Sequence, residues 1–168
     1  MELQVEMGPR LRGPLKAIET KWLALNLNWQ LNHITEEVGP SLAIDPKHQI
    51  LSKFDSEMSV DQRKQQQDQF NRMLKLNHND KLPSGKHMVN VLVYFSVDDS
   101  KHVLDGVDNV YRILTRYSVE FGYPLLAVAH IHEVKRHFHI HVMYDLGKNK
   151  TDQQDHVNLQ QWVAKQFG

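Results

Sequence analysis

Histidine is the residue type in this chain whose distribution asks for a chemical explanation. There are 11 in 168 residues, and five of them, His130, His132, His137, His139 and His141, fall within one stretch of twelve. The last three alternate with Phe138, Ile140 and Val142, so an extended strand would set the imidazoles on one face and the apolar residues on the other. Imidazoles two residues apart on a strand are spaced by roughly 7 Å, close enough to lean onto one ion. A lone strand histidine is ordinarily a half-buried core or surface residue. A row of imidazoles on one face is costly unless something binds them, so the pattern points to a divalent metal. A hairpin would bring His130, at the end of the preceding strand, alongside the row. Three imidazoles from two adjacent strands, with water or substrate completing the shell, form an open catalytic site rather than a closed structural one. Glu133, in the connection, can orient a histidine or add an oxygen ligand.

The elements that must carry these residues are legible in the second half. Met88 to Val97 alternates Val89, Val91, Val93 and Phe95 against Asn90, Tyr94 and Ser96, a central strand. Val103, Val107, Val110, Leu114, Tyr117 and Phe121 recur at helical steps, and Gly122 and Pro124 end that helix. Leu125 to Ile131 and His137 to Tyr144 read as two strands joined by a hairpin-length connection. A last helix begins near Asn158 and presents Leu159, Trp162, Val163 and Phe167. Earlier, Leu11 to Ile34 reads as a helix leading into a strand from Leu23 to Leu31. Gly39 to Pro46 reads as a loop, Ser59 to Leu76 as a polar helix with a thin stripe of Phe70, Met73 and Leu74, and Asn77 to Lys86 as a linker. The expectation is a single α+β domain over 1–168, with accessory elements in 1–86 and the sheet core in 87–168. Its sheet is largely antiparallel, with helices packed on one face and the histidine-rich hairpin at the centre.

Composition removes several function classes. Without cysteine there is no disulfide scaffold, thiolate zinc finger, iron–sulfur cluster or cysteine nucleophile. Twenty basic and twenty acidic residues balance, so no broad electrostatic footprint announces a nucleic-acid partner. The longest mainly apolar stretch, Leu125 to Ala129, is too short to span a bilayer, and Met1 to Leu11 lacks the character of a signal peptide. A soluble, cytoplasmic chain with no membrane partner is expected. Amidohydrolase barrels also use His-x-His but need roughly 200 or more residues. Cupin sites expect a Glu shortly after the pair, where this chain has only Asp145.

The run His130-Ile-His132-Glu133-Val-Lys-Arg136-His137-Phe-His139 resembles the H-x-D-E-x-x-P-H-x-H signature of MobV-type (Pre/Mob) relaxases, members of the HUH endonuclease superfamily. The similarity covers about residues 87–168: the family's hydrophobic strand, long helix ending in Tyr-Gly, histidine hairpin and later helix follow one another as do Met88–Val97, Val103–Phe121, His130–Tyr144 and Leu159–Phe167 here. His132 stands where the family has Asp, and Arg136 where it has Pro. The resemblance implies that His130, His137 and His139 are the metal triad and Glu133 its acidic companion, with His132 or His141 joining under a shifted frame. It implies a divalent cofactor, Mn²⁺ or Mg²⁺, with Mg²⁺ the weaker because it prefers oxygen.

Relaxases also need a nucleophile. The first tyrosine here is Tyr94, so none lies in the N-terminal half. Asn32-His33, followed by Ile44-Asp45, is similar to the family's early His-containing stretch, which makes His33 the candidate. Tyr111 and Tyr117 read as packing residues of the amphipathic helix. Expected partners are single-stranded or supercoiled DNA at an origin, with accessory mobilisation or replication proteins. Lys135, Arg136 and Lys148, with Lys150 and the basic residues Arg63, Lys64, Arg72 and Lys75, are candidate DNA contacts. The function implied is site-specific nicking and strand transfer through a covalent 5′-phospho-enzyme during plasmid mobilisation. The alternatives are a rolling-circle replication initiator of the same superfamily and a non-catalytic, metal-dependent DNA-binding module. The chain's end one residue past Phe167 fits the N-terminal domain of a longer relaxase.

Overall fold

The computed structural model of the protein describes residues 17–22, 39–96, 103–130, 137–151 and 157–167. These form a six-stranded sheet and three α-helices. The strands are β1 (Ala17–Trp22), β2 (Ser41–Asp45), β3 (Ile50–Phe54), β4 (Met88–Ser96), β5 (Leu125–His130) and β6 (His137–Asp145). The helices are α1 (Val60–Asn77), α2 (Val103–Phe121) and α3 (Leu159–Phe167). The sheet order is β1-β4-β6-β5-β2-β3, and every pairing is antiparallel. The histidine hairpin β5–β6 therefore occupies the two middle positions, as the sequence predicts.

Strand alternation divides the core in two. Val89, Val91 and Val93 of β4, Leu125, Ala127 and Ala129 of β5, and Ile140, Val142 and Tyr144 of β6 face α2 and α3. Helix α2 presents Val107, Val110, Leu114 and Tyr117 to this layer, and α3 adds Leu159, Trp162 and Val163. Helix α2 stops where Gly122 adopts φ +71, with its N–H and that of Tyr123 both bonded to the Ser118 carbonyl. On the other face, Ala43, Leu126, Val128 and Met143 pack against Phe70, Met73 and Leu74 of α1. Helix α1 starts at a capping box in which Ser59 accepts from the Gln62 N–H and the Gln62 side chain accepts from the Ser59 N–H. No helix among the described residues is long and apolar enough to cross a membrane.

Three sequence expectations are corrected. Helices cover both faces of the sheet, because the thin stripe of α1, Phe70, Met73 and Leu74, supplies a second apolar layer. The stretch from Gly39 to Pro46 contains β2, a fully buried strand between β5 and β3; its Gly-Pro start and Asp-Pro end mimic a loop, and five residues are too few to display a period. Ala17–Trp22, expected to be helical, is an edge strand paired with β4. Ile18 and Trp22 are four apart, a spacing that both a helix and a strand satisfy, and pairing with β4 decides between them. The N-terminal part is thus no accessory: it contributes three of the six strands.

Candidate metal centre

The geometry of the centre comes from the register of β5 against β6. His130 lies opposite His139, and Val128 opposite His141. Side chains of residues 139 and 141 share a face, and hairpin pairing sets His130 beside both. The ring centroids are 4.6 Å apart for His130 and His139, 4.1 Å for His130 and His141, and 5.2 Å for His139 and His141. His139 Nε2 and His130 Nδ1 are hydrogen-bonded at 2.9 Å. One nitrogen from each ring lies within 4.8 Å of the other two, and all three residues are half-buried. Nitrogens bound to one metal at about 2.1 Å sit roughly 3.4 Å apart, so modest ring rotation converts this cluster into a ligand set.

The donors fit a metal. Three neutral imidazoles suit late first-row divalent ions, whereas Mg²⁺ demands oxygen ligands, so it is the poorer match of the two metals expected from the sequence. All three residues are partly exposed, as the ligands of an open site are.

Of the residues singled out in the sequence, the structure brings together His130, His139 and His141. His141 was expected only as an additional ligand; alternation shows which residues share a face but not which pair across the hairpin, and the register supplies that. His137 is placed through its backbone, opposite Ser96 at the start of β6. His33, His132, Glu133, Lys135 and Arg136 lie outside the described residues. Lys148 does not belong to the neighbourhood of the centre. It follows the far end of β6, six residues and about 20 Å beyond His139, where its exposed Nζ lies 3.5 Å from Asn79 Oδ1.

The tyrosines Tyr111, Tyr117, Tyr123 and Tyr144 all belong to the α2 and α3 face, across the sheet from the cluster. Tyr111 donates to the Pro40 carbonyl at 2.6 Å and Tyr117 to the Val157 carbonyl at 2.8 Å, and Tyr144 accepts from the Leu159 N–H. Burial pushes all four hydroxyls above their ordinary range, that of Tyr144 up to about 12. The packing role expected for Tyr111 and Tyr117 is the one observed.

Two histidines outside the cluster are carboxylate-bound at the opposite end of the sheet. His78 Nε2 donates to both oxygens of buried Asp145 at 2.8 Å, and His48 Nδ1 lies 2.8 Å from Asp45 Oδ2. Asn77 also donates to Asp45, so the end of α1 is fastened to β2 and β6. The only sequence signal was the Asp-Pro-Lys-His turn after β2. A cleft of about 470 Å³ opens on the α2 side beside Leu42, Ile44, Leu51 and Tyr111, and no histidine of the cluster lines it. Comparison with protein-family models, with curated proteins and with solved structures finds no match to this chain, so the residues themselves carry the functional reading.

Proposed function

We propose that the protein is a metal-dependent, site-specific endonuclease and strand transferase acting on single-stranded or supercoiled DNA, of the relaxase type its histidine motif resembles. The observation that carries this reading is the open trio of imidazoles on the central hairpin of an antiparallel sheet. His130, His139 and His141 would hold the divalent ion, which when bound would offset the negative charge on the oxygens of a scissile phosphate. His33 is the nucleophile in this scheme. Six residue-to-residue steps separate it from Gly39, a contour of at most about 21 Å, and Gly39 packs against Ala129 beside His130. Its ring nitrogen attacks phosphorus, the bond to the 3′ oxygen breaks, and that oxygen leaves with the proton lost from the imidazole. The products are a free 3′-hydroxyl and a 5′-phosphoramidate on the enzyme, and the reverse step rejoins the strand. Lys64 and Arg72 are exposed on α1, the helix on the same face of the sheet as the cluster, and are the described candidates for phosphate contacts.

The test is incubation with negatively supercoiled plasmid and a library of single-stranded oligonucleotides, with Mn²⁺ or with chelator. Expected are metal-dependent nicks, a polymerase-extendable 3′ end, and a protein–DNA adduct that dissolves in acid, as a phosphoramidate does and a phosphotyrosine does not. An acid-stable adduct would transfer the role of nucleophile from His33 to a tyrosine. A free 5′-phosphate with no adduct would make the protein a water-activating nuclease, and metal-dependent binding without cleavage would make it a DNA-binding module.

A further inference from the structure

We infer that Tyr111, on the opposite face of the sheet, is a positioning residue for the metal centre, acting on His130 through the Pro40 carbonyl and the Ala129 backbone. The inference rests on the metal reading above. His130 is the last residue of β5, held on one side by pairing with His139. On its other side β2 has already ended, since the last register pair is Ser41 with Val128. What continues the contact there is Pro40, whose carbonyl accepts the Ala129 N–H at 2.9 Å and the Tyr111 hydroxyl at 2.6 Å. Proline has no N–H to return, so its carbonyl is the backbone group through which residue 40 bonds to the sheet and to α2. Gly39 closes the contact: a Cβ at this position would overlap the Ala129 carbonyl oxygen, so only glycine permits the approach.

Tyr111 is 2% exposed and its ring is packed in the α2 layer, so its hydroxyl is a fixed point. It fastens Pro40 to a rigid helix, Pro40 fastens Ala129, and Ala129 sets the height of His130 relative to His139 and His141. A three-imidazole site is sensitive to displacements of about 0.5 Å in any one ligand, which is the scale such a tether controls.

The experiment is Co²⁺ titration of the full chain, followed by its visible spectrum and by calorimetry, for wild type, Tyr111→Phe and Tyr117→Phe. Tyr117 is the matched control: it lies on the same helix and face, and its hydroxyl donates to the Val157 carbonyl, away from β5. Because Tyr111 acts on His130 through Pro40 and Ala129, Tyr111→Phe is expected to weaken Co²⁺ binding by up to about tenfold, the low end of what loss of a direct outer-shell partner does, and to shift the ligand-field bands. Tyr117→Phe should leave both unchanged. Gly39→Ala, which presses on the same contact without touching the aromatic layer, should weaken binding at least as much as Tyr111→Phe. Equal affinity for wild type and Tyr111→Phe would overturn the inference, as would an equal loss in both phenylalanine variants. Absence of Co²⁺ binding by wild type would instead overturn the metal reading, and this inference with it.

Discussion

The two ends of the sheet use the same residue in opposite ways. At the Asp45 and Asp145 end, His48 and His78 each face a buried carboxylate, and the side chain of Asn77 completes one of the two sets. There the imidazole is a hydrogen-bonding group that ties a helix end and a turn to the sheet. At the other end, His130, His139 and His141 face one another, and among the described residues the group that could hold a metal is made of imidazoles. Imidazole against imidazole is a poor structural pair, since one ring must lend a lone pair where a carboxylate offers a stronger acceptor. A histidine is therefore better judged by what it faces than by its being buried or conspicuous in the sequence.

The largest effect that could break this comparison is on the metal. His139→Ala should abolish divalent-ion binding and metal-dependent nicking while circular dichroism and thermal unfolding of the apo-protein change little. His48→Ala should leave metal affinity untouched. Retained nicking by the His139→Ala protein would remove the distinction between the ends.

Stability should respond in the reverse sense. His78→Ala leaves the buried Asp145 carboxylate without its imidazole donor, although the Gly147 N–H still serves one oxygen, and should cost about 3 kcal/mol in urea unfolding. Metal affinity should stay within about twofold of wild type, because the pair sits roughly 20 Å from His139 along β6. If the metal site weakens as much as the fold does, the two ends are not independent.

A smaller effect separates the two faces. The Tyr144 hydroxyl is raised from its ordinary value to about 12, chiefly by burial among α2 and α3. Because the folded value lies above the unfolded one, the associated stability is fully present below about pH 10 and is lost progressively as pH rises from there toward 12. Denaturation at a series of alkaline pH values should show a decline approaching 2 kcal/mol from this residue, abolished in Tyr144→Phe. The smallest expected effect is that of Lys148→Ala. Single-stranded DNA affinity should be unchanged within error, whereas Lys64→Ala or Arg72→Ala on α1 should reduce both affinity and its salt dependence.

How far the site was legible follows from the range over which each signal is written. The bounds of α2 could be read directly because its six apolar positions lie within one helix and the Gly122 stop follows it at once. The strand character of β6 was as plain, since period-two alternation is a property of neighbouring residues. Strands β2 and β3 left no such trace: each is five residues long, and β2 is buried throughout, so its sequence does not alternate in the way a half-exposed strand does. The Tyr111 to Pro40 contact joins residues 71 apart, and nothing local in the sequence announces it.

The sequence by itself determined that this chain concentrates imidazoles on a hairpin strand, that the strand's other face is apolar, and that a helix of nineteen residues precedes it. Those are consequences of residue type and of the periods 2 and 3.6, which the backbone imposes without reference to the rest of the molecule. Only the tertiary structure decided that His141 stands with His130 and His139, that both faces of the sheet are covered, and that His48 and His78 are carboxylate-bound rather than metal-binding. Each of these depends on which residues from distant parts of the chain come into register or contact, and that choice is made by packing two apolar layers at once around the sheet.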